Sequence, residues 1–237
     1  MNSNESCDAP DRLLTLTEAI AAALHSISPI HATETVPLCD AYGRVLAADL
    51  PARLDAPPYD NSAMDGFALH RADLKPDAPT RLPVIGDALA GHPYAGTVPQ
   101  GAAVRITTGG LIPEGPDAVV MQEQCLIAPD ERWIELEART ATRLRLGENI
   151  RRRGEDVRAG AVLLPGGLQL RPQDVALAAG QGYAVLTVAR QLRVAVASTG
   201  DELHSPGVDL PPGAIYESNR YILMGLLKRL GCVVTDL

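Results

Sequence analysis

The sequence predicts a mixed α and β protein with more than one domain. Three observations carry that prediction: a capping box opens a helix near the start, short apolar runs punctuated by Pro and Gly fill the middle, and a strand–helix–strand pattern closes the chain. In the first, Thr15 can cap and Glu18 lies three residues on, so each can satisfy the other's free amide. Leu16, Ile20, Leu24 and Ile27 recur at helical spacing, and Pro29 ends the run. The polar residues 1–11 before it read as disordered. A short strand over 34–38 and a short helix over 40–48 follow.

From Pro51 the texture changes. Runs at Leu82–Ile85, Ala103–Thr107, Ala118–Gln122 and Trp133–Leu136 alternate with turn residues, which suggests a small barrel or sandwich ending near Glu137. A strand over 161–164, a turn at Pro165–Gly167 and a helix from Pro172 to about Ala179 come next. Pro172 suits a first helical turn, and Gly180 and Gly182 can stop the helix. Residues 184–189 read as a strand. The last segment is the most regular: a strand over Arg193–Ala197, a helix over Asn219–Leu230 and a strand starting at Cys232–Thr235. Ser218 is the expected cap of that helix and Gly231 its stop. Ile222, Leu223, Leu226, Leu227 and Leu230 are expected to face inward. This is the opening of a parallel α/β sheet. Two strands cannot bury both faces of such a layer, so the sequence reads as part of something longer.

Composition narrows the function. The 237 residues are 46% hydrophobic and 21% charged, as in ordinary globular proteins. Only 3% are aromatic, so the core must be aliphatic and stacking platforms for single-stranded nucleic acid are scarce. A net charge of −8 argues against a duplex-coating protein. No stretch approaches the roughly 18–20 apolar residues of a membrane span, and no secretory pattern opens the chain. Neither nucleic acid nor membrane is an expected partner. Cys7, Cys39, Cys125 and Cys232 have no zinc-type spacing and read as free thiols of a reducing cytoplasm. Only two of the 21 basic residues are Lys. Seven arginines fall between 139 and 158, either a solvated charged loop or a set of planar grips for anions.

Four segments hold groups with chemical potential. Asp60–Ala68 packs two carboxylates, an amide and a hydroxyl into a turn-prone stretch, and its plain alternative is an Asx turn. Arg105–Gly110 ends a strand in two hydroxyls and two glycines, either an anion-binding nest or an ordinary Gly-rich turn. Gly147–Val157 contains the Arg151–Arg153 run. Ser198–Leu203 follows the first strand of the α/β segment, where ligands bind in open sheets; its two adjacent carboxylates suit a hard cation, or serve only a capped turn. No HExxH, GxSxG, GxGxxG or Walker A pattern occurs.

In order and spacing, DNSAMDGFA at 60–68, RITTGGLIPEGPDAVVMQE at 105–123, GENIRRRGEDV at 147–157 and STGDEL at 198–203 resemble the MoeA / gephyrin E-domain family, over roughly residues 12–237. The resemblance implies molybdenum cofactor biosynthesis: molybdate enters adenylylated molybdopterin, with Mg²⁺, and AMP leaves. It implies a cytoplasmic homodimer, a MogA-type adenylyltransferase upstream and molybdoenzymes downstream. It implies Asp65, Thr108, Asp156 and Glu202 as catalytic, and Arg151, Asp201, Ser198 and Thr199 as substrate-binding, with Asp201 and Glu202 as candidate metal ligands. It implies an elongated discontinuous domain (12–53 with 141–190), a β-rich barrel-like insertion (54–140) and an incomplete MogA-like α/β domain (191–237). A partial enzyme is the expectation, with a non-enzymatic, gephyrin-like dimerisation or scaffold module as its alternative.

Overall fold

The computed structural model describes residues 13–237; the polar stretch at 1–12, with Cys7, lies outside the described residues. The chain forms two compact units. One comprises the described residues through Ala47 together with Val185–Leu237, and the other Ala48–Ala184. This partition cuts the chain at other places than the three-part division implied by the resemblance.

The first unit opens with α1 (Leu16–Ser26) and β1 (Thr33–Pro37). The Glu18 N–H donates to Thr15 Oγ1 at 3.3 Å and the Thr15 N–H to Glu18 Oε2 at 2.8 Å, the capping box that the sequence predicts. The helix expected over 40–48 does not form. Leu38–Asp40 makes one 3₁₀ turn, and Gly43 then adopts a left-handed φ of 71°. The stretch instead pairs with the chain's return: the Ala47 N–H reaches the Thr187 carbonyl at 3.1 Å, and the Ala189 N–H that of Val45 at 2.8 Å. Ladder pairing there outcompetes a helix too short to stand alone.

The second unit runs β2 (Leu50–Pro51), β3 (Asn61–Ser62), β4 (Gly66–Leu69), β5 (Thr80–Ala88), β6 (Ala103–Ile106), β7 (Ala118–Met121), β8 (Cys125–Ile127) and β9 (Trp133–Leu136). It continues with α2 (Ala138–Arg143), β10 (Ile150–Arg151), β11 (Val162–Leu164) and α3 (Pro172–Gly180). A six-stranded sheet in the order β7-β4-β6-β5-β9-β8 dominates it. The long β5 serves two neighbours: Thr80–Pro83 pair antiparallel with β9, and the residues from Val84 pair parallel with β6. A register shift between Val84 and Asp87 marks the change, and the sheet curls. Phe67, Leu69, Val120, Ile134 and Leu136 pack on one face. Ala68, Val104, Ile106 and Val119 pack on the other. All four residues of β4 are therefore buried, which explains its unbroken apolar run and its central place. Cys39, Cys125 and Cys232 are free thiols; burial pushes the Cys125 thiol up to about 12.

The chain returns to the first unit with β12 (Val185–Ala189), β13 (Arg193–Val196), β14 (Leu203–His204), β15 (Ile215–Tyr216), α4 (Asn219–Arg229) and β16 (Val233–Asp236). β1 pairs antiparallel with β12, and β13 pairs parallel with β16 as expected. The inward face expected of α4 is corrected: none of its residues is buried, and Ile222, Leu223, Leu226 and Leu230 are exposed. Ser218 makes no side-chain cap; the buried Glu217 accepts the Arg220 N–H at 2.9 Å instead. A longer side chain entering from the preceding residue does the work assigned to the serine. No described helix is long and apolar enough to cross a membrane.

Candidate functional site

Three of the four segments meet in the second unit. The loop around β3, at 60–65, is held from two sides. On one side the Gly109 N–H donates to the Ser62 carbonyl at 2.8 Å, the Ser62 N–H to that of Gly110 at 2.9 Å and the Ile112 N–H to that of Asp60 at 3.1 Å. On the other side β10 pairs antiparallel with β3, Arg151 opposite Asn61 and Ile150 opposite Ser62. The Ala63 N–H adds a bond to the Asn149 carbonyl at 2.8 Å.

Asp65 and Thr108 come together at this junction. Asp65 Oδ1 accepts the Thr108 N–H at 2.7 Å and its hydroxyl at 2.8 Å. The amide bond first and the hydroxyl second hold the Asp65 carboxyl below the usual carboxylate range. Both bonds fall on Oδ1, and both side chains stand at the surface. The result is a fixed, ionised acceptor. It suits polar N–H or O–H groups of a ligand better than proton transfer near neutral pH, which needs a carboxyl tuned upward.

The glycines explain how the backbone comes this close. A Cβ on Gly66 would lie 1.9 Å from the Val120 carbonyl oxygen, so only glycine lets β4 leave Asp65 and pair with β7 at once. Gly109 adopts a φ of 80°, which turns the chain just after Thr108. The Asp60–Ala68 segment thus ends in a buried strand, and the Thr-Thr-Gly-Gly turn holds the Asp65 carboxylate.

The arginine run is paired throughout. Arg151 Nη2 donates to Asp156 Oδ2 at 2.5 Å. Arg152 Nη1 donates to Asp60 Oδ2 at 2.6 Å, and Arg153 Nε to Asp55 Oδ2 at 2.5 Å. Asp60 also accepts the Arg153 N–H at 2.8 Å, and Asp55 the Ala159 N–H at 2.9 Å. These main-chain bonds first, and the guanidinium contacts second, lower the pKa of both acids. Arg152 and Arg153 thus strap residues 151–159 onto 55–60. Sequence reasoning missed Asp55, and it missed that Asp60 pairs with Arg152, because separations of 98 and 92 residues leave no local signal.

The fourth segment belongs to the first unit. Ser198, Thr199, Asp201 and Glu202 follow β13, and all four are exposed. The Leu203 N–H closes a turn on the Gly200 carbonyl at 3.1 Å. A Cβ on Gly200 would meet Glu202 Oε2 at 2.6 Å, so this carboxylate lies back over its own turn. No group of three or more His, Cys, Asp or Glu side chains that could hold a metal forms among the described residues.

The class is thus a mixed α/β fold whose curled sheet carries a fixed carboxylate–hydroxyl pair on the loops that enter β4 and leave β6. Comparison with known proteins gives the family. The chain belongs to the MoeA family: the family model described as the MoeA N-terminal region (domain I and II) matches residues 14–182. It is 42% identical over 225 residues to a molybdopterin molybdenumtransferase of Haemophilus influenzae, covering 95% of this chain and 54% of that protein. It is 40% identical over 218 residues to molybdopterin molybdenumtransferase 2 of Mycobacterium tuberculosis, covering 91% and 51%. A crystal structure of the molybdopterin biosynthesis moeA protein of Pyrococcus horikoshii superposes with a TM-score of 0.84 at 35% identity, covering 95% of this chain and 59% of that one. The chain spans about half the length of the curated relatives it matches.

Proposed function

We propose that the protein carrying this sequence acts in molybdenum cofactor biosynthesis as a molybdopterin molybdenumtransferase, inserting molybdate into adenylylated molybdopterin with release of AMP. The observation that carries this reading is the Asp65–Thr108 pair, fixed at 2.7 and 2.8 Å within segments that match the family. In this reading Asp65 accepts hydrogen bonds from polar edges of the pterin and Thr108 holds its geometry. Arg151 meets the anionic phosphate or molybdate. Asp156 is proposed for chemistry beside Arg151 in the second unit; in the first unit Ser198, Thr199 and Asp201 are proposed as substrate-binding and Glu202 as catalytic, with Asp201 and Glu202 as candidate metal ligands. Magnesium, where it takes part, arrives with the substrate's phosphates, since two carboxylates and waters are a usual share for this ion. The three-part domain division, the MogA-like character of 191–237, the cytoplasmic location and the partial-enzyme status belong to the same proposal. So do a homodimer, supported by the uncovered stripe Leu16, Ile20 and Leu24 on α1, an adenylyltransferase upstream and molybdoenzymes downstream.

The test is to incubate the protein with adenylylated molybdopterin, molybdate and Mg²⁺, and to measure AMP release and reconstitution of a molybdenum-free apoenzyme. Asp65→Asn is expected to keep the fold and to lose at least about tenfold in substrate affinity or rate, the worth of a charged hydrogen bond. Wild-type behaviour of Asp65→Asn would remove that residue from the site. Dimer formation with no substrate binding would favour the scaffold alternative.

A further inference from the structure

We infer that Asp156 gates Arg151: it occupies the guanidinium until a phosphoryl anion displaces it. The inference rests on the reading above, in which Arg151 meets an anionic part of the substrate. The pair is open to solutes, its side chains 41% and 55% exposed. The Asp156 carboxylate is not what anchors the strap over 151–159. Its main-chain N–H is bonded to the Ala56 carbonyl at 2.8 Å, and the strap is tied down through Asp60 and Asp55. Of the three consecutive arginines, Arg152 and Arg153 are committed to acids 92 and 98 residues away, whereas the partner of Arg151 lies five residues on, within the same turn. Exchange at Arg151 therefore breaks one local contact and no long-range one.

A phosphoryl group has the means to displace the carboxylate. It carries more negative charge and more acceptor oxygens, and guanidinium binds it bidentately. On exchange the Arg151–Asp156 ion pair opens and an Arg151–phosphoryl pair closes. No proton moves, and Asp156 is released, still ionised, beside the bound anion. The two roles expected of this segment, anion binding by Arg151 and chemistry by Asp156, then follow one another and do not cancel.

The test is calorimetric titration with inorganic pyrophosphate of the wild type, Asp156→Asn, and the Arg151→Gln/Asp156→Asn double variant. Asp156→Asn is expected to bind about two- to fivefold tighter than wild type, the worth of one exposed ion pair. The double variant is expected to lose that gain. Asp156→Ser, which removes the carboxylate with less bulk, is expected to move affinity in the same direction. Equal or weaker binding by Asp156→Asn, a gain that persists without Arg151, or no binding by any variant overturns the gate. Because pyrophosphate binding is read without turnover, a failed gate leaves AMP release standing as its own test, and a failed AMP assay leaves the gate measurable.

Discussion

The two units treat the same kind of residue differently. In the second, Ala68, Leu69, Val104, Val119 and Val120 show no exposed surface, because β4, β6 and β7 are packed on both faces of a sheet contained within one unit. In the first, α1 and α4 carry aliphatic residues at helical spacing and bury none of them. Leu16 is 78% and Leu24 64% exposed. A strand must find hydrogen-bonding neighbours to exist at all, so its burial is decided with its folding. A helix satisfies its own backbone, and its apolar stripe says only that something should cover it.

The largest test of this contrast is Gly66→Ala. With 1.9 Å between the new Cβ and the Val120 oxygen, β4 and β7 cannot both keep their places. A loss of about 4 kcal/mol or more is expected in urea denaturation of the second unit. A loss under about 1 kcal/mol would show that the sheet yields easily, and the contrast would fail.

A paired truncation comes next. Leu69→Ala, at a fully buried position, is expected to cost about 2–5 kcal/mol. Leu24→Ala, on the open stripe of α1, is expected to stay within about 0.5 kcal/mol in dilute protein. Equal costs in dilute solution would break the comparison. A Leu24 cost that grows with protein concentration would sharpen it, because association would then be what covers the stripe.

The smallest expected effect is acid sensitivity of the loop junction. Asp55, Asp60 and Asp65 have folded-state pKa values below the ordinary 3.8. Their contribution is fully present above that value and is lost as pH falls through the lowered ones. Denaturation midpoints at pH 5, 3.5 and 2.5 are expected to fall stepwise, and Asp60→Asn to flatten the fall. An unchanged slope in Asp60→Asn would exclude that residue from the linkage.

Much of this was legible in advance for local reasons. The Thr15–Glu18 box spans three residues, Trp133–Leu136 is a strand as read, and Pro172 opens α3. Failures came where tertiary pairing overrode a local cue. Residues 40–48 were spent on edge contacts to β12, and β4 was hidden inside a polar-looking motif whose last residues are apolar. Asp65 and Thr108 were each visible as candidates. Their contact was not, since 43 residues separate them.

By itself the sequence determined the Thr15–Glu18 capping box, the Pro172 start of α3, the strands of the sheet's apolar runs, the aliphatic core composition and the four segments worth watching. Only the tertiary structure decided that three of those segments converge on one loop and that Arg152 and Arg153 are committed to Asp60 and Asp55. The same folding left Arg151 paired with Asp156, five residues on. The physical reason is range. Caps and amphipathic stripes act over three or four residues and leave a period in the sequence. Hydrogen bonds between residues 43 to 98 apart leave none until the sheet brings their carriers together.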